Sequence, residues 1–187
     1  MNIILVRHGQ TDWNKKDLLQ GVTNIELNET GKEQARETAK KLEDVKIDLI
    51  YCSPLNRTLD TAKTINNKRN LQINIDNRLI ERKFGNYEGT KGFLDFKKYW
   101  NLELNFSDNN VEPMKAYIER VETFLKDLYK KYGDTNKNIL VVTHNGINLA
   151  ISSLINGFIE NIFEYNLKPC EYKIFENIKI IERGKDE

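Results

Sequence analysis

The chain is 187 residues long, enough for one domain with a sizeable core and short for two. Its 39% hydrophobic and 30% charged residues suit an ordinary globular protein, and a formal net charge of +1 argues against nucleic acid or an acidic membrane as partner. Two cysteines, Cys52 and Cys170, exclude a disulfide scaffold and fit a reducing compartment, and no apolar run reaches the length of a signal peptide core or a membrane span, so the cytoplasm is the expected location.

Residues 3–6 form a continuous apolar run that ends abruptly in Arg7-His8, the pattern of a buried central strand. Residues 9–30 are polar and turn-rich. A helical pattern opens at Thr30-Gly31-Lys32-Glu33 and continues to about Leu42, with Ala35, Thr38, Ala39 and Leu42 on one face. A second apolar run, 47–52, is stopped by Ser53-Pro54, and a helix follows over about 55–66 with Leu59, Ala62 and Ile65 inward. Residues 71–75 alternate as a short strand.

Residues 80–112 are irregular and read as a short lid or insertion, with a helix at about 93–100. Pro113 suits the first turn of a longer helix to about Tyr132, with Tyr117, Val121, Phe124, Leu125 and Leu128 at helical spacing. Residues 139–142 make a third buried strand that leads into Thr143-His144-Asn145-Gly146 and a helix to about Ile155. Two alternating runs, 171–175 and 178–182, read as a hairpin about Asn177.

Strands alternating with helices predict an α/β fold: a three-layer α/β/α sandwich around a mostly parallel, mixed central sheet, in one domain over 1–187. Ligands of open α/β sheets lie beyond the carboxyl ends of the strands. Three strand exits carry reactive residues here: Arg7-His8, Ser53 to Arg57, and Thr143-His144. A metal site would want a third histidine or a carboxylate at tight spacing, and the sequence has neither beside His8 and His144. No metal and no cofactor are expected.

Arginine forks suit tetrahedral oxyanions. Two arginines and two histidines at one rim repel each other unless an anion sits between them, and phosphate is the natural candidate. His8 is then the obvious nucleophile, because neutral imidazole attacks phosphorus and gives a phosphohistidine that water hydrolyses. Cationic neighbours are expected to hold His8 neutral. The Gly146 helix N-terminus suits an anion as well. Two decoys fail on spacing: Cys52 to Arg57 is one residue short of a cysteine-phosphatase loop, and Gly85 to Lys91 is one short of a P-loop.

Four segments occur in order: Arg7-His8-Gly9-Gln10-Thr11; Ser53-Pro54-Leu55-Asn56-Arg57 with Thr61-Ala62; Leu79-Ile80-Glu81 with Phe84-Gly85 and Glu88-Gly89; and Val142-Thr143-His144-Asn145-Gly146. They resemble the motifs of the histidine phosphatase (phosphoglycerate-mutase-like) superfamily and cover nearly the whole chain. The resemblance implies a phosphoric monoester hydrolase of the histidine acid type, acting on a small phosphorylated metabolite. It implies that His8 is phosphorylated, that Glu81 is proton donor and then general base, and that Arg7, Arg57 and His144 complete the phosphate pocket. Asn14, Gln20, Gly21 and Asn145 are implied as further substrate contacts.

Glu81 stands out only through the motif. Arg82 and Lys83 read as solvated surface charge. The competing readings are a phosphoglycerate mutase and a non-catalytic phospho-ligand binder on the same fold. The region 107–110, Ser-Asp-Asn-Asn, lacks the arginine pair that the mutases use for a second anion site. The substrate and the oligomeric state stay open.

Overall fold

The computed structural model describes residues 1–91, 105, 107–157 and 162–178. Among these, five strands form one sheet: β1 (Asn2–Arg7), β2 (Leu49–Cys52), β3 (Ile73–Ile75), β4 (Asn138–Thr143) and β5 (Tyr172–Phe175), in the order β3-β2-β4-β1-β5. β1 to β4 are mutually parallel and β5 runs antiparallel on β1. The described residues also form five α-helices: α1 (Asp12–Lys15), α2 (Glu29–Lys41), α3 (Asn56–Asn66), α4 (Met114–Tyr132) and α5 (Asn145–Asn156).

The continuous apolar runs exist because both faces of the sheet are covered. Along β1, Ile3 and Leu5 join a cluster with Tyr117, Val121 and Phe124 of α4 and Ile147 and Ile151 of α5. Ile4 and Val6 point the other way, into a cluster with Leu42, Ala62 and Ile65 at α2 and α3. The expected three-layer arrangement is therefore present, with one helix pair on each face.

Pairing brings the reactive strand ends together. Arg7 lies opposite Thr143, and Cys52 opposite Val142, so the exits of β1, β4 and β2 stand side by side at one edge. Just past β1 the chain turns tightly against the start of α2. A Cβ on Gly9 would lie 2.5 Å from the Gly31 carbonyl oxygen, so only glycine fits this contact.

Several local expectations change. The polar stretch 9–30 contains α1, which Thr11 and Asn14 close with a reciprocal capping box. The run at 171–175 pairs antiparallel with β1, and most of the second run of the expected hairpin lies outside the described residues. Of the second run, only Ile178 is among the described residues; its N–H donates to the Met1 carbonyl. The expected helix at 93–100 and most of the expected lid lie outside the described residues. No helix among the described residues is long and apolar enough to cross a membrane.

Candidate active site

His8 follows β1 directly, and its backbone is fixed on both sides. Its N–H donates to the Thr143 carbonyl at 2.9 Å, and its carbonyl accepts from the Cys170 N–H at 3.2 Å. The side chain is 3% exposed, with Nδ1 2.7 Å from the Gly9 carbonyl oxygen. A carbonyl can only accept, so Nδ1 carries the proton and Nε2 keeps its lone pair. Burial pushes the imidazole pKa well below its ordinary value, with Arg57 and then Arg7 adding to the effect. The cationic neighbours expected from the sequence contribute, but burial is the larger cause.

Arg57 starts α3 and is fully buried. Its Nε donates to His144 Nδ1 at 3.3 Å, one Nη to the Thr23 carbonyl at 2.8 Å and the other to the Gly21 carbonyl at 2.7 Å. A guanidinium has five N–H groups, so these bonds fix its plane and leave donors for a ligand. Burial lowers its pKa to about 10, still cationic at neutral pH. Arg7 is tied by Nη1 to the Leu167 carbonyl at 2.7 Å, while its Nε has no hydrogen-bond partner among the described residues.

His144 meets His8 edge-on, with ring centroids 5.3 Å apart and planes at 62°. It is fully buried, and its nitrogens are engaged by Arg57 and by Ser53 Oγ at 2.8 Å. Burial, then Arg57, pushes its pKa well below the ordinary value. The ring is therefore neutral, and positive charge at the pocket comes from the arginines.

Glu81 is buried beside the N-terminus of α5. Oε2 accepts from the Gly146 N–H at 3.0 Å and Oε1 from the Arg82 N–H at 2.9 Å. The anion-binding end of this helix is thus occupied by the carboxyl group of Glu81, where the sequence suggested phosphate. Burial raises the Glu81 pKa, and the two N–H donors, Arg57 and Arg120 oppose it without cancelling it.

Arg120 was not foreseen. It donates to the carbonyls of Arg78 at 2.6 Å, Ile80 at 2.8 Å and Glu81 at 3.3 Å, and its fork closes on the Glu112 carboxylate at 2.7 and 2.9 Å. The only available signal was a charge one turn beyond Tyr117 on an otherwise apolar stripe. Arg82, expected as solvated charge, is fully buried and binds the Glu112 carbonyl through Nε at 2.9 Å and Nη2 at 2.7 Å. The Glu112 carbonyl and the ring of Tyr117 compensate it where a surface would have used water.

A cavity of about 400 Å³ gathers Arg7, His8, Asn14, Gln20, Gly21, Arg57, Glu81 and Asn145 on its walls, together with Leu18, Leu19, Phe84 and Leu149. Every residue expected at the site is on this wall except His144, which is bonded to Arg57 and meets the His8 ring edge-on. Asn14 Oδ1 accepts from the Thr11 N–H, so its amide NH₂ is the end available to a ligand. Asn145 is held by Asn166 and the Leu167 N–H.

Glu88, quoted in a motif but given no role, fastens the wall. Its carboxylate accepts from the N–H groups of Val22 at 3.2 Å, Thr23 at 2.9 Å and Phe84 at 3.0 Å, and from the Thr23 hydroxyl. Among the described residues, no three His, Cys, Asp or Glu side chains form a group able to hold a metal ion.

An oxyanion pocket at the carboxyl edge of a mostly parallel sheet, with an imidazole lone pair and a buried carboxyl group on its wall, defines an enzyme of phosphoryl transfer. The sequence profile of the histidine phosphatase superfamily (branch 1) matches residues 3–179, and the chain belongs to that family. It is 34% identical over 173 residues to the putative phosphoserine phosphatase 2 of Hydrogenobacter thermophilus, covering 88% of this chain and 84% of that protein. It is 25% identical to the 2,3-bisphosphoglycerate-dependent phosphoglycerate mutase of Staphylococcus haemolyticus, covering 96% and 97%. The crystal structure of a putative alpha-ribazole-5'-P phosphatase from Escherichia coli superposes with a TM-score of 0.80 at 28% identity, covering 97% of this chain and 95% of that one.

Proposed function

We propose that the chain is a phosphoric monoester hydrolase of the histidine acid type: a neutral histidine attacks and a carboxylic acid protonates the leaving group. The observation that carries this reading is the His8 Nδ1 bond to the Gly9 carbonyl, which leaves the Nε2 lone pair in a pocket walled by Arg7 and Arg57. The substrate is a small phosphorylated metabolite of the kind named for its relatives. One domain carries the whole reaction, with the 80–112 segment as its lid. The two buried free thiols, Cys52 and Cys170, support a reducing, cytoplasmic setting.

The phosphoryl oxygens are gripped by the free N–H groups of Arg7 and Arg57 and by the Asn14 amide. His8 Nε2 forms a bond to phosphorus as the bond to the ester oxygen breaks, and the proton of Glu81 passes to that oxygen, releasing the alcohol. Glu81, now ionised, takes a proton from a water molecule whose oxygen attacks phosphorus. The P–N bond breaks, its electron pair returns to His8 Nε2, and inorganic phosphate leaves. Most of the acceleration comes from positioning and charge neutralisation, as is usual in phosphoryl transfer.

The alternative, a phosphoglycerate mutase, needs a second anion site to retain a bisphosphate. Among the described residues the cavity wall has no cation besides Arg7 and Arg57, which favours hydrolysis. The test is to supply 3-phosphoglycerate with a trace of 2,3-bisphosphoglycerate. Free phosphate is expected to outrun 2-phosphoglycerate; isomerisation faster than hydrolysis of the best phosphomonoester in a panel would overturn the phosphatase reading. A non-catalytic binder is the third reading, and it would hydrolyse none of the panel.

A further inference from the structure

We propose that Ser53 is a positioning residue: its hydroxyl oxygen accepts from His144 Nε2–H and holds the ring in place, so that His144 Nδ1 can serve as an acceptor that aims Arg57. The proposal rests on a chain of three buried side chains. Ser53 Oγ lies 2.8 Å from His144 Nε2, and Arg57 Nε lies 3.3 Å from His144 Nδ1. All three residues are fully buried, so no bulk water can substitute for a missing partner.

The direction of each bond follows from donor chemistry. Guanidinium nitrogens only donate, so His144 Nδ1 must present a lone pair to Arg57. A neutral imidazole with a bare Nδ1 carries its proton on Nε2, which then donates to the Ser53 hydroxyl oxygen. The opposite tautomer would set an N–H against the Arg57 N–H and leave two donors facing each other in a dry site. Arg57 therefore selects the tautomer, and the Ser53 hydroxyl, which can accept or donate, completes it by accepting from Nε2–H.

Ser53 is itself fixed tightly enough to act this way. It is the first residue after β2, with its N–H on the Val142 carbonyl at 3.2 Å and its own carbonyl accepting from the Thr58 hydroxyl at 3.0 Å. The hydroxyl thus sits on a backbone pinned at both ends. The two histidines of the site are accordingly locked in opposite tautomers. His8 carries its proton on Nδ1, bonded to Gly9, and leaves Nε2 bare; His144 carries its proton on Nε2 and leaves Nδ1 bare. Asp-to-His pairing, the common way to fix a tautomer, is replaced at one ring by a backbone carbonyl and at the other by the Arg57 guanidinium.

The inference deepens the reading of this pocket and rests on phosphatase chemistry only for its second measurement. The chain has only two histidines, so four ring nitrogens report on it. Long-range proton–nitrogen correlation spectra of the nitrogen-15-labelled protein at pH 7 should show one Nδ1–H ring and one Nε2–H ring, assigned with His8→Asn. Two rings of the same tautomer, or a cationic His144, would overturn the proposal whatever the enzymatic activity.

In Ser53→Ala the His144 Nε2–H loses its acceptor in a dry site, so its ring-nitrogen signals should shift or broaden, and vanadate affinity should fall roughly tenfold, the effect of one buried hydrogen bond. Ser53→Thr, which keeps the hydroxyl, should restore both. A Ser53→Ala protein that keeps the wild-type His144 signals and vanadate affinity would refute the role of Ser53. If Ser53→Ala fails to fold, Ser53→Cys, a weaker acceptor, is read against the same two outcomes.

Discussion

Glu81 is pulled in two directions. Burial favours the neutral acid, whereas the N–H groups of Arg82 and Gly146 favour the ion, and burial wins. In the proposed mechanism the raised pKa keeps a proton available for the leaving group, so activity should decline on the alkaline side as that proton is lost. Glu81→Gln removes the donor and leaves the arginine grip intact. Steady-state rates on alkyl phosphates should fall roughly 10²–10⁴-fold, the usual range for general acid catalysis. With p-nitrophenyl phosphate, whose leaving group departs unprotonated, phosphorylation of the enzyme should suffer less. Equal losses in that step for both substrates would remove Glu81 from the acid role. For His8 and His144 the folded pKa lies well below the ordinary 6.5. Their depressed values mean that the stability they preserve is complete above pH 6.5 and is lost as pH falls toward the folded values. Denaturant unfolding should therefore show stability dropping with acid below pH 6.5, less steeply in His8→Asn than in the wild type.

At the scale of elements, the start of α5 is built around the acid. A Cβ on Gly146 would come within 2.4 Å of Glu81 Oε1, so Gly146→Ala must displace the carboxyl group or the helix end. Its loss of activity should resemble that of Glu81→Gln, larger for alkyl than for aryl phosphates; a uniform loss would indicate general damage. Glu88→Gln gives up charge-assisted bonds to the 21–23 loop, whose carbonyls aim Arg57. It should raise KM more than it lowers kcat, measured on any hydrolysed phosphomonoester.

The strand exits were legible in the sequence because buried runs announce themselves and end sharply in Arg7-His8, Ser53 and Thr143-His144. The roles of Glu88, Arg120 and Ser53 were not, since their work is done on partners far along the chain: Glu88 on Thr23, Arg120 on Ile80, Ser53 on His144. The polar helix α1 escaped for another reason. Four residues carry no periodicity, and only the reciprocal Thr11–Asn14 cap defines it.

Across the whole molecule, the same sheet that presents the site is held by helices on both faces. Phe124 of α4 is fully buried, packs edge-on to Tyr51 of β2 at 5.7 Å and lies under the Arg78 guanidinium at 5.5 Å. Phe124→Ala should destabilise the fold by about 3–5 kcal/mol, read as a lowered Tm, through lost burial and the cavity left behind. Because Phe124 is not among the residues lining the cavity, the folded fraction should keep its KM.

Covalent catalysis by His8 is read most directly by mixing enzyme with radiolabelled substrate, quenching within one turnover and mapping the labelled protein. Acid-labile, base-stable phosphate is expected on His8 Nε2 and should be absent from His8→Asn. Label on another residue, or wild-type turnover by His8→Asn, would overturn the proposed mechanism.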